Sequence, residues 1–265
     1  MESSLTYEQA LAALAWQIEL GAEDAILDAP VDRYALGEAD RAARAAAAEA
    51  APAAQSPRGT RPPVPPPPPN RDLIGEAATA ASAAADLDAL AQAFAALDTP
   101  LAKGARHFLM GTGTAGAPLM VVGEAPSRED DMAGTAYAGL QGALMDRMLA
   151  AIGRAREGEA PTYLTYALPW RLPPTGDVAP QELALIRPFL LRHIALAKPQ
   201  VILLQGNLAC QALLGGGSVT RLRATWAEVA GIPALPSHAL DRLMGNPALK
   251  REAWADLLAL KARLG

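Results

Sequence analysis

From about residue 100 onward the chain alternates short apolar runs with stretches of helical periodicity, and this alternation constrains the fold more than any other feature. Residues 119–122 (LMVV) are a continuous apolar run closed by Gly123, the pattern of a strand buried on both faces. Apolar residues at 144, 145, 148, 149 and 152 then recur with helical spacing. Residues 163–168 read as a second strand, and 180–197 as a helix with proline in its first turn. A third strand at 201–204 leads to a helix over 208–214 that stops at three glycines. A short strand at 232–235 and a helix over 247–264 close the chain. Such alternation predicts parallel βαβ units: a three-layer α/β/α fold around a mostly parallel four-stranded sheet. In sheets of this kind ligands bind beyond the carboxyl ends of the strands, so those ends are where site residues are sought.

Upstream the character changes. Residues 1–50 read as a helical segment, with Leu5, Leu11, Leu14 and Ile18 on one stripe and an alanine-rich run at 42–51. The stretch RPPVPPPPPN lacks backbone donors, so 51–72 reads as a semi-extended spacer, or as a ligand for a proline-binding partner. Residues 73–265 form the predicted folded domain. Residues 1–100 hold 6 Lys/Arg against 15 Asp/Glu, and 101–265 hold 17 against 13, so a net −5 divides into −9 and +4. That division is compatible with a mildly basic working face behind an acidic appendage. The opening MESSLTYEQ resembles neither a secretory signal nor a transit peptide, and no apolar stretch is long enough to span a membrane, which predicts a cytoplasmic protein. Its single cysteine, Cys210, excludes an intrachain disulfide and four-cysteine metal ligation within the chain.

GTGTAG at 111–116 fits the dinucleotide pattern G-x-G-x-x-G, but it precedes a strand instead of following one and reads as a loop or hairpin turn. The segment GEAPSREDD after the first strand is more informative. Gly123 permits close backbone approach, and Glu129, Asp130 and Asp131 crowd three carboxylates into one turn. An acid/base site and a solvated loop capping the next helix both explain that cluster; a two-metal nuclease lacks a matching acidic pair at the other strand ends. Tyr137 stands between glycines and offers either a stacking face for a base or a buried ring with a bonded hydroxyl. His238 follows the fourth strand, at the same sheet edge as the acidic turn.

Taken in order, VVGEAPSREDDMAGTAYAGLQGALMDRMLAAIG, TYLTYALPWRLPPTG, RPFLLRHIALAKPQVILLQG, SHALDRLMGNP and KREAWADL resemble the type 4 uracil-DNA glycosylases over about residues 94–265. The resemblance implies hydrolysis of the bond between uracil, or another damaged base, and deoxyribose after the nucleotide is flipped from DNA. The alternative is a DNA-binding paralogue with little or no activity. On this resemblance Asp130 and Asp131 orient water and stabilise the sugar cation, and His238 faces the departing base. Tyr137 takes the place of the stacking phenylalanine, while Gly123 and backbone groups of Glu124 and Ala125 line the pocket. Leu240 and Leu243 are candidates for the wedge that fills the gap left by the flipped base. The implied partner is single- or double-stranded DNA carrying deaminated bases, bound by a monomer.

The chain departs from the family at several points. Tyr166 replaces the asparagine that reads the uracil edge, and a phenol cannot copy a carboxamide's paired contact. Ser127 stands where the family has glycine, and the histidine motif has lost its proline and its terminal Leu-Leu-Arg. The four cysteines of the family's [4Fe–4S] cluster are missing, with residues such as Thr99, Trp170 and Ile186 near their positions, so no cofactor is expected.

Overall fold

The computed structural model describes residues 72–172 and 178–265. The predicted helical segment at 1–50 and all but the last residue of the spacer at 51–72 lie outside them. Among the described residues no helix is long and apolar enough to cross a membrane.

Two helices open this region, α1 (Leu73–Ala83) and α2 (Leu87–Ala95). Each starts where an aspartate side chain accepts a hydrogen bond from an otherwise orphaned N–H: Asp72 from Gly75 and Asp86 from Ala89. After a short turn come β1 (Gly111–Gly113), β2 (Leu119–Gly123), α3 (Arg128–Ala133), α4 (Gly139–Ala151) and β3 (Thr162–Tyr166). Then follow α5 (Pro180–Ala197), β4 (Val201–Gln205), α6 (Asn207–Leu214), α7 (Val219–Leu222), β5 (Ala227–Val229) and β6 (Ile232–Ser237). The chain closes with α8 (Leu240–Gly245) and α9 (Lys250–Leu264).

The sheet has six strands in the order β1-β3-β2-β4-β6-β5, not the four expected. The four predicted strands are the parallel centre, and the two additional ones are three-residue edge strands, β1 antiparallel to β3 and β5 antiparallel to β6. β1 is built from the Gly111–Gly113 part of the segment expected to be a loop or turn.

Alternation along the buried strands divides the core in two. Met120, Val122, Ile202 and Leu204 face α1, α2, α5 and α6, where Phe94 and Phe189 stack with centroids 4.6 Å apart. Leu119, Val121, Leu164 and Leu203 face α4, α8 and α9 through Met145, Leu149, Leu240 and Leu257. Helices therefore cover both faces, as the three-layer expectation required.

The connections fix where a ligand can enter. From β2 the chain moves to β3 on one side, and from β4 it moves to β6 on the other. The crevice between the carboxyl ends of β2 and β4, at Gly123 and Gln205, is the topological switch point of the sheet.

Candidate active site

A cavity of about 300 Å³ opens at that switch point. Of the residues anticipated from sequence, Gly123, Glu124, Ala125, Tyr137, Tyr166 and Leu240 line it. Arg128, Arg171, Gln205 and Asp241 line it as well and were not anticipated.

Its floor is a pair of tyrosines. The rings of Tyr137 and Tyr166 stack with centroids 4.6 Å apart and planes 4° from parallel. Tyr137 adopts a left-handed backbone conformation, φ 54°, which an ordinary residue holds only when its surroundings enforce it. Here its N–H donates to Tyr166 Oη (2.8 Å), its Oη donates to the Thr165 carbonyl (2.9 Å), and Arg156 Nη2 donates to its carbonyl (2.8 Å). Gly123 makes room for the arrangement, since a Cβ there would lie 2.5 Å from Tyr137 Oη. Burial, reinforced by the nearby charge of Asp130, pushes both phenols above their ordinary range, so both stay protonated.

Asp130 lies directly behind this floor and does not line the cavity. It is 1% exposed, and its carboxylate accepts from Ser127 N (2.7 Å), Ala138 N (2.7 Å) and Tyr166 Oη (2.9 Å). With Ser127 Oγ accepting from Asp130 N (3.1 Å), this is a capping box at the start of α3. Tyr166 therefore gives its one proton to Asp130 and has none left for a ligand.

Asp131 points to a different place. Its Oδ1 accepts from the N–H groups of Arg106 (2.7 Å) and His107 (3.1 Å), and Arg171 Nε bonds Oδ2 at 3.1 Å. Burial pushes its carboxyl up, but those two N–H groups and the guanidinium outweigh it and hold the group below the usual range. By tethering Arg171, Asp131 orients a cation on the cavity wall.

Glu124 lines the cavity together with a second acidic residue, Asp241. Glu124 Oε1 accepts from Leu208 N (2.9 Å) at the start of α6, and the Glu124 side chain packs against Gly206. Burial raises the Glu124 carboxyl, opposed by the Leu208 N–H and helped by the charge of Asp241. From sequence only the backbone of Glu124 was assigned to the pocket.

His238 is not joined to this group. The neighbouring Ala239 and Leu240 line the cavity, but the His238 imidazole is buried and its Nε2 lies 2.8 Å from Glu252 Oε2 on α9. There it belongs to a network in which Arg223 Nη2 donates to Asp256 (3.1 Å) and Ser237 Oγ donates to Asp256 (2.8 Å). The two wedge candidates are likewise packed inward, Leu240 in the cavity wall and Leu243 against α4 and α9, whereas Met244 is the exposed apolar residue of α8.

Gln205 was missed although a signal was present. It is the lone polar residue ending a run of four apolar ones in β4, at the carboxyl end of a central strand.

The family model described as the uracil DNA glycosylase superfamily matches residues 110–258. A type-4 uracil-DNA glycosylase of Archaeoglobus fulgidus is 35% identical over 105 residues, 40% of this chain and 51% of that protein. Type-4 uracil-DNA glycosylases of Thermotoga maritima (29% over 150 residues) and Saccharolobus solfataricus (30% over 170) are each matched over 77% of their length, and over 56% and 60% of this chain. The chain thus spans about half the length of the Archaeoglobus relative.

These relatives correct one expectation. The type 4 class is the one whose resemblance implies a [4Fe–4S] cluster, so the matches argue against expecting no cofactor. The residues present do not fit such a cluster. The chain has one cysteine, and among the described residues no group of three or more His, Cys, Asp or Glu side chains could hold a metal. Trp170 packs edge-on against Phe94 and Phe108 at 5.4 and 5.7 Å, and Ile186 is fully buried beside them. Kinship and residues disagree at this point.

Proposed function

Because the chain belongs to the uracil DNA glycosylase superfamily, we propose that it is a DNA-repair hydrolase that removes uracil or another deaminated base from a flipped nucleotide. It acts as a monomer on single- or double-stranded DNA. The observation that carries this reading is the cavity at the sheet's switch point, walled by the Tyr137–Tyr166 stack and rimmed by arginines.

Hydrolysis forms a bond from water oxygen to C1′ as the glycosidic bond breaks; the electron pair leaves with the base, and the water's proton passes to solvent or to the base. Positive charge builds on the sugar and negative charge on the base. In this reading Glu124 orients the water at the cavity wall. Asp130 is a positioning residue that also supplies fixed negative charge one hydrogen bond behind Tyr166. The tyrosine pair gives the base an aromatic floor. Exposed Arg128 and tethered Arg171 take phosphates of the flipped strand.

One observation favours the alternative, a paralogue that binds DNA without cleaving it: the His238 imidazole is committed to Glu252. To face a departing base through Nε2 it would have to leave that partner.

Oligonucleotides carrying uracil, hypoxanthine or xanthine, single- and double-stranded, test both readings when abasic sites are revealed by alkali. Excision of at least one base is expected, falling about 100-fold or more in Glu124→Gln. Binding without an abasic site on any substrate would leave only the paralogue.

A further inference from the structure

We propose that Gln205 reads the base in this cavity, its carboxamide pairing with the lactam edge of a flipped nucleobase: Nε2–H to the base carbonyl, and base N–H to Oε1. This deepens the glycosylase reading and rests on it for the source of the base.

Gln205 is 1% exposed, yet neither its Oε1 nor its Nε2 has a hydrogen-bond partner among the described residues. A buried carboxamide with both ends unpaired is a costly thing to keep in a core, and a leucine would pack there without that cost. The residue also lines the cavity. Strand alternation places it on the face of Val201 and Leu203, the face that holds Tyr137 and Tyr166. The register of β2 and β4 sets it level with Gly123, which has no side chain to stand between Gln205 and Tyr166.

The surrounding polar groups are already committed. Tyr166 Oη donates to Asp130, Tyr137 Oη donates to the Thr165 carbonyl, and Ser237 Oγ, beside Gln205 on β6, donates to Asp256. Gln205 alone among these has both a donor and an acceptor to offer. That pair, side by side and coplanar, complements adjacent C=O and N–H groups such as those of uracil and hypoxanthine. The paired contact that Tyr166 cannot make is thereby supplied from β4, on the other side of Gly123.

Two assays on the full chain separate this inference from the reading it rests on. Wild type, Gln205→Leu and Gln205→Glu are compared for single-turnover excision of uracil and hypoxanthine from oligonucleotides, and for calorimetric binding of the free bases. Wild type is expected to excise and to bind, and Gln205→Leu to lose both by about 10- to 100-fold while melting above wild type. Gln205→Glu, of the same shape but offering no N–H when ionised, should lose a comparable factor; Gln205→Met replaces the leucine variant if that one does not fold. Excision and free-base affinity both retained within about twofold in the variants would overturn the role of Gln205 and leave the glycosylase reading intact. Free-base binding that depends on Gln205, without excision by wild type, would support the reader and remove the glycosylase. Neither excision nor free-base binding by wild type would overturn both.

Discussion

At Asp130 one carboxylate caps a helix, anchors the loop at Ala138 and holds the phenol of Tyr166. Replacing it with asparagine turns one acceptor into a donor facing a donor. Asp130→Asn should therefore destabilise the protein by about 1–3 kcal/mol in denaturant titration, whatever it does to activity. A loss of activity in that variant alone is poor evidence for a catalytic aspartate, and Glu124→Gln is the cleaner probe. Gln205 presents the opposite case. Removing its unpaired amide should stabilise the fold, so Gln205→Leu should melt about 2–4 °C higher for each kcal/mol gained. An unchanged or lower melting temperature would mean that the amide is satisfied in the folded protein. Gly123 was legible in the sequence because a glycine closing an apolar strand leaves room for close approach, whereas the acidic turn had two readings and Asp130 takes a capping role. The direction of each side chain was not legible: nothing in GEAPSREDD says that Glu124 enters the cavity while Asp130 and Asp131 turn away from it.

The central strands and long helices were readable because their apolar patterns are unbroken, as in VILLQ of β4 and the 18-residue α5. β1 and β5 were not, since three residues carry no periodicity and their pairing comes from the neighbouring strand. Helix α3 was missed for a different reason: Ser127 and Asp130 form a capping box with aspartate at the third position in place of the commoner glutamate. Between β3 and α5, His193 is 1% exposed, its Nε2 lying 2.9 Å from Tyr163 Oη. Burial lowers its pKa to about 4. The unfolded ring takes a proton near pH 6.5, so between that pH and about 4 the unfolded state binds more protons than the folded one. Stability should be complete above pH 6.5 and fall by about 3 kcal/mol as the pH drops through that window. Melting curves between pH 7 and 4 check this, and His193→Leu should flatten the slope; a slope that persists in the variant would place the titrating group elsewhere.

Taken whole, the molecule joins a sequence of net charge −5 to a cavity whose rim carries Arg128 and Arg171. The mild positive balance of residues 101–265 was readable, but the placing of those two cations beside the cavity needed the fold. If the rim takes DNA phosphates, affinity for an oligonucleotide should fall with salt, and Arg128→Ala should lower the log–log slope by about 0.7–0.9. A slope untouched by that substitution would move the DNA path away from this rim. Family membership alone cannot decide what happens in the cavity, because Tyr166 and the Glu252-bound His238 differ from what the resemblance implies. The most direct measurement is a crystal structure of the protein with an oligonucleotide carrying a 2′-fluorinated deoxyuridine, whose glycosidic bond resists cleavage. The uracil should lie outside the stack, against the Tyr137–Tyr166 floor, with its lactam edge on Gln205. A uracil still stacked within the DNA, with the nucleotide nowhere in the cavity, would contradict the account.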